Sequence, residues 1–312
     1  MVLIFAGFDK IIEPFKKFSL VYLVLFVLAT TLLHIINSLR WAAVLKYQGV
    51  KVPFLLLLRY KLIGTAVNYL TPAARLGGEP VRGYLLKKKL SLKSKQAYSS
   101  ILIEMSLGMS IDTLFISVIL IAMLLFFTLP NQIVGFALTL SLLATLLLII
   151  FYSTLIKRLG PFSFIFRFFS SFIRTRFLRK LAGKIVSIED SMIEFLHFRR
   201  KGVIQAIFIS MLSWPVTFLQ YKFALLSIGF DASITIILLS IIATSFAAII
   251  PIPAAFGVQE AGHFSVFSLV AAANVGIALS ILIRFKDLIS TLIGLILLSH
   301  EGLSIIEMLK KK

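Results

Sequence analysis

The sequence predicts an all-α, polytopic integral membrane bundle, and three observations carry that prediction. Of 312 residues, 59% are hydrophobic and 14% charged, with a mean hydropathy of +1.02, which leaves too little polar surface to face water. Apolar runs recur at the length needed to cross a bilayer, about 20 residues at about 1.5 Å each. These runs fall into two groups, each interrupted by proline and glycine. Together they give about eight membrane-embedded helices in two repeat-related halves with broken or re-entrant segments. Residues 1–154 form an N-terminal membrane half, 155–202 a basic amphipathic cytoplasmic connector, and 203–312 a C-terminal membrane half.

The first span, 18–36, follows Lys16 and Lys17 and ends before Asn37, Ser38 and Arg40. It offers no small-x-small cleavage site, so it reads as a membrane helix rather than a secretory leader. Next comes 52–70, interrupted by Arg59 and Lys61, with a loop over 38–51 between the two. Spans at 98–127 and 132–154 complete the first half. Within 155–201, Phe162, Phe166, Phe169, Ile173 and Phe177, then Ile185, Ile188, Met192 and Phe195, recur every three or four residues. That period makes a helix with one apolar face, which either lies in the inner interface or packs on the bundle. The second half holds spans at 203–228, 232–250 and 275–299, and a short apolar segment, 258–273, opened by Pro251, Pro253 and Gly257. A segment opened in that way marks a broken or re-entrant helix lining a cavity.

Thirty-two Lys and Arg against 13 Asp and Glu leave a net charge of +19. In a chain this apolar, the excess belongs beside anionic headgroups rather than nucleic acid. Segments 71–97 and 155–201 hold most of it, so both are expected in the cytoplasm of a cell (plasma) membrane protein. The same count places both termini in the cytoplasm and the 38–51 loop outside. Cysteine is absent, and His34, His197, His263 and His300 are scattered, so neither thiolate chemistry nor a metal site is expected. No Gly-rich loop ending in GK[ST] offers to hold a nucleotide. No metal or other cofactor is expected.

An internal repeat supports the two-half division. Pro72-Ala73-Ala74-Arg75-Leu76-Gly77-Gly78-Glu79 aligns without gaps on Pro253-Ala254-Ala255-Phe256-Gly257-Val258-Gln259-Glu260, each copy following an apolar helix. Interruptions at matching places in two halves point to a transporter's binding site. Eight crossings make the halves parallel, whereas one re-entrant segment makes them inverted. Glu79, Glu104, Asp112, Glu260 and Asp287 lie in or against apolar segments, where an ionised side chain costs about 2.5–3.5 kcal/mol on insertion scales. They either line a polar pathway, pairing with cations, binding a cationic headgroup or carrying protons, or they form ion pairs between helices. Glu104 and Asp112, about 80° apart on one helix, are expected to share the bundle interior. Arg75, Arg82 and Arg284 supply the planar fork of donors that suits phosphate. For Arg82, a cation snorkelling at a helix end is the plainer reading.

Asn68, Pro72, Arg75, Gly78-Glu79 and Arg82, then Glu104 with Asp112, then Pro251-x-Pro253 with Gly257-x-x-Glu260, resemble in their order the lysylphosphatidylglycerol synthase transmembrane family. This is the flippase-like membrane domain of multiple peptide resistance factors, and the resemblance covers about 15–300. The sequence departs from the family pattern in the extra glycine of Gly77-Gly78, in Met105 after Glu104 and in Ala254-Ala255. The resemblance implies translocation of a lipid between leaflets. Together with the charges found in apolar segments, it makes Asn68, Arg75, Glu79, Arg82, Glu104, Asp112, Glu260, Arg284 and Asp287 the candidate residues around the headgroup. It does not imply lysyl transfer, which belongs to a further soluble domain; none is expected after the last span, and 155–201 is too short to be one. The expected function is therefore a non-enzymatic flippase, for an anionic or aminoacylated phospholipid or a polyprenyl-phosphate-linked sugar, with anionic membrane lipids as partners. The alternatives are a membrane-embedded lipid-modifying transferase using Glu79 or Glu260 as general base, and a non-catalytic subunit recruiting a cytosolic or membrane lipid-synthesis enzyme.

Overall fold

A computed structural model describes residues 13–71, 76–126, 131–161, 163 and 176–302, and every described element is helical. After a 3-10 turn at Glu13–Lys17 come α1 (Leu20–Tyr47), α2 (Phe54–Leu70), α3 (Gly78–Leu90), α4 (Ser94–Phe126), α5 (Asn131–Ile156), α6 (Arg176–Phe198) and α7 (Arg200–Ser227). Then follow α8 (Ile234–Ile249), a 3-10 turn at Pro253–Ala255, α9 (Val258–Ser268) and α10 (Ala273–His300). Among the described residues α1, α7 and Ser94–Met123 of α4 are long and apolar enough to cross a membrane, and α8 and Ser141–Ile156 are shorter apolar helices. The fold is the predicted all-α membrane bundle. Pro72, Ala73, Ala74 and Arg75 of the first repeat copy, and Phe162, Phe166, Phe169 and Ile173, lie outside the described residues.

The chain forms two compact units interleaved in sequence. Met1–Ile36, Leu58–Arg82 and Leu212–Lys312 make the first, and Asn37–Leu57 with Gly83–Met211 the second.

In the second unit, α1 does not stop where its apolar run stops, because the polar residues beyond it find partners. Arg40 donates from Nε and Nη2 to Glu104 at 2.9 and 2.6 Å and from Nη1 to Ser210 at 3.3 Å, and the Trp41 indole donates to Ser100 at 3.0 Å. The expected 38–51 loop shrinks to 48–53, and its place is corrected too. Gln48 donates to Ser99 at the start of α4 (3.0 Å), and Val44 shares a core with Ile103, Leu107, Met192, Phe195 and Ala206. The turn after α1 therefore lies at the same end of this unit as the start of α4 and the α6–α7 junction, not opposite these basic regions. The same core decides how α6 is used: its C-terminal half packs on the bundle.

In the first unit, α9 lies antiparallel to α10, with Glu260 at Arg284, His263 at Ser280 and Phe267 near Gly276. On its other side α9 meets α8, Thr244 reaching His263 and Ala243 facing Gly262. Helix α2 is also antiparallel to α10. Arg59 reaches Leu297 and Glu301, Leu62 and Ala66 face Gly294, and Tyr69 approaches Arg284. Only glycine fits at 294, since a Cβ there would meet the Leu62 carbonyl oxygen. Helix α3 opens by folding back on α2, Gly78 against the backbone of Gly64. The two broken pairs thus run in opposite senses: α2 opposes α10 and α3 returns, whereas α8 follows α10 and α9 returns. This is the inverted arrangement that a re-entrant segment produces. The 11 residues of α9 rise about 16 Å, about half of a ~30 Å hydrocarbon layer.

Helix α1 runs in the same sense as α10. Lys17 lies on Gly229, next to Phe230, whose ring meets Phe267 5.6 Å away near the start of α10, while His34 further along reaches Ser290 at 3.5 Å. The start of α1 and the end of α10 are therefore at opposite ends of this unit, an arrangement that an even number of crossings does not give.

Candidate headgroup site

The two repeat copies each place a glutamate in the first turn of a helix, where the exposed backbone N–H groups favour an anion. In the first copy the partners are close in sequence. Asn68 at the end of α2 accepts from Gly78 N–H at 2.6 Å and donates to Glu79 Oε1 at 3.3 Å, while Arg82 donates to Glu79 Oε2 at 2.5 Å. The Arg82 side chain is 1% exposed, and its stem lies where Gly64 has no Cβ.

In the second copy the arginine comes from a neighbouring helix. Glu260 Oε2 accepts from Gly257 N–H at 2.9 Å, capping α9, and Arg284 donates to Oε1 at 2.7 Å and Oε2 at 3.2 Å. Arg284 also donates to the carbonyls of Ala254 and Ala255, and its guanidinium carbon stands 4.7 Å over the Phe256 ring. Ala254 and Ala255 are left-handed, at φ of +52° and +51°, a conformation that costs an alanine about 1–2 kcal/mol. The guanidinium thus holds a strained turn in place.

Around these pairs lie neutral polar groups. His263, fully buried, is bonded at both ring nitrogens: Thr244 Oγ1 lies 2.9 Å from Nε2 and Ser280 Oγ 2.7 Å from Nδ1. Tyr221 donates to Thr244 at 2.7 Å, and Ser280 donates to the Gly276 carbonyl at 3.1 Å. In contrast, both amide atoms of fully buried Gln259 have no hydrogen-bond partner among the described residues, nor have the buried hydroxyls of Tyr60 and Thr291. The Tyr69 hydroxyl lies in hydrogen-bonding and electrostatic range of Arg284.

Residues 1–294 match the family described as the lysylphosphatidylglycerol synthase TM region. The chain belongs to that family. It is 27% identical over 306 residues to a UPF0104 membrane protein of Methanocaldococcus jannaschii, covering 95% of this chain and 89% of that one. A UPF0104 membrane protein of Pyrococcus horikoshii is 24% identical over 302 residues, 92% and 88% of the two chains. One from Methanothermobacter thermautotrophicus is 29% identical over 151 residues, 48% and 43%. Family and apolar helices together make this an integral membrane protein.

Of the candidate site residues read from the sequence, Asn68, Glu79 and Arg82 form one cluster and Glu260 with Arg284 another, both in the first unit. Asp287 pairs with Lys286 at 3.0 Å in the same unit, near His34 and Lys61. Glu104 belongs to the second unit, 1% exposed and paired with Arg40. Asp112 does not share that interior as expected. It is exposed, because 80° of helical rotation carries it off the buried face. Arg75 lies outside the described residues. Sequence reasoning missed Arg40, Tyr69 and Gln259. For Arg40 a signal existed, since a buried glutamate requires a cation and Arg40 lies just beyond an apolar run.

Proposed function

We propose that the protein moves a phosphate-bearing lipid headgroup between leaflets, as a transporter of the flippase type and not an enzyme. The observation that carries this reading is the pair of broken hairpins of opposite sense in the first unit, each presenting a Glu–Arg pair at a helix N-terminus. A headgroup needs a polar route across about 30 Å of hydrocarbon while its acyl chains stay in lipid. Broken helices supply free backbone groups and helix ends for such a route. Compensating Glu–Arg pairs keep it polar without a large net charge. The Arg284 contacts to the Ala254 and Ala255 carbonyls are ones that phosphate oxygens can replace, and Arg75 is the second phosphate ligand. In the plasma membrane, the positive-inside bias sets the ends of the second unit, with 83–97 and the α6–α7 junction in the cytoplasm.

Purified protein in liposomes with acyl-labelled fluorescent phosphatidylglycerol tests this. Dithionite bleaching should reveal faster exchange than in protein-free vesicles, and Arg284→Lys should slow it at least about tenfold, a barrier change of about 1.4 kcal/mol. Exchange no faster than in empty vesicles, or chemical modification of the lipid in its place, would overturn the reading.

A further inference from the structure

Gln259 is the most deeply buried polar side chain of the second motif, at 0% exposed, and neither end of its carboxamide has a partner among the described residues. A buried amide normally engages both ends, because an unmet donor or acceptor away from water costs the full desolvation of that group. In a segment of this family's membrane region, water is scarce as a substitute. Gln259 shares the buried face of α9 with His263 and Phe267, directly before Glu260. The helix that carries Arg284 holds one more unmet neutral group, the Thr291 hydroxyl, about two turns along α10 on the same face as Arg284.

The charged groups of both motifs are already engaged. Both oxygens of Glu79 are bonded, to Asn68 and Arg82, and both oxygens of Glu260, to Gly257 and Arg284. Each motif carboxylate is already neutralised by an arginine, so neither carries an unbalanced charge to attract an ammonium group. The carboxamide left without a partner donates and accepts at once. A phosphate oxygen only accepts and an ammonium only donates, so either would leave half of the Gln259 carboxamide unmet. A hydroxyl pair meets both halves.

We propose that Gln259, with the Thr291 hydroxyl, determines headgroup specificity by taking the neutral hydroxyls of a phosphate-linked polyol, glycerol or a sugar, rather than an aminoacyl ammonium. This rests on the lipid-moving reading above for its setting, and it makes a claim about binding that can fail separately.

The test compares three labelled anionic phospholipids in the purified protein: phosphatidylglycerol, phosphatidylinositol, and phosphatidylethanol, which keeps the phosphate and lacks hydroxyls. Binding is read by competition in neutral-lipid nanodiscs, independently of exchange between leaflets. Wild type should prefer at least one polyol lipid over phosphatidylethanol by about tenfold, about 1.4 kcal/mol. Gln259→Met should bring that ratio close to one while leaving phosphatidylethanol binding unchanged. Because it removes an unmet amide, Gln259→Met should unfold at an equal or higher temperature, so lost selectivity cannot be misfolding. Thr291→Val should lower the ratio partway. Glycerol 3-phosphate in solution competing as well as phosphatidylglycerol would assign the polyol phosphate to a soluble ester, and the subsite would stand. Equal binding of all three lipids by wild type, or an unchanged ratio in Gln259→Met, would overturn the proposal. Selective binding without exchange would instead count against the transport reading alone.

Discussion

The first broken hairpin is closed upon itself, whereas the second is held from outside. In the first, Asn68 bridges Gly78 and Glu79, Arg82 reaches Glu79 from one turn away, and the Gly64 and Gly78 backbones touch. In the second, the position aligned with Gly78 is Gln259 and that aligned with Arg82 is His263, so the counter-charge must come from Arg284 on α10. The consequence is a difference in how each can move. Shifting the first copy breaks backbone contact and the ion pair of an arginine that is 1% exposed. Shifting the turn ahead of α9 requires only that one guanidinium exchange acceptors, and the left-handed alanines it holds favour release, while α9 itself stays tied through His263. The first hairpin is built as a fixed wall and the second as the adjustable one.

The sharpest way to break this comparison is to remove the two glutamates. Glu79→Ala takes the carboxylate from an arginine that is 1% exposed and should cost about 3–5 kcal/mol. Glu260→Ala should cost less, about 2 kcal/mol, since Arg284 keeps two carbonyl acceptors. Thermal unfolding in detergent reads the ranking, and equal losses would erase the distinction.

Glycines sharpen it next. Gly78→Ala would drive a Cβ into the Gly64 carbonyl and should cost about 3 kcal/mol. Gly257→Ala meets nothing within 4 Å and pays only for its φ of +81°, about 1 kcal/mol. At the small end, Ala254→Gly relieves a left-handed alanine and should raise stability by about 0.5 kcal/mol, with faster lipid exchange if the strained turn gates α9. A chain without cysteine also allows the ends of the second unit to be checked. In intact cells Lys95→Cys and a cysteine at Lys51 should be equally protected from an impermeant thiol reagent, because their turns lie at one end.

Much of this was legible in the sequence because hydrophobic length and proline–glycine breaks are local signals. The spans at 98–127, 132–154 and 203–228 are close to α4, α5 and α7. The repeat was legible through Pro-Ala-Ala and its following glutamate. The end of α1 was not, because Arg40 looks like a loop residue until Glu104 is placed beside it, and that pairing joins positions far apart in sequence. Gln259 was hidden for a related reason. A glutamine beside a glutamate reads as surface, and only burial with no partner gives it meaning.

The hydrogen bonds around His263 link neighbouring helices and end on backbone. Tyr221 donates to Thr244, which lies against Nε2, and Nδ1 lies against Ser280, which donates to the Gly276 carbonyl. A backbone carbonyl has no hydrogen to pass on, so this file of hydroxyls is a dead end. A polar seam through a membrane risks dissipating the proton gradient that the cell maintains. Here the seam is tied off at Gly276, and the four helices α7 to α10 are joined by groups that hold one another without becoming a leak.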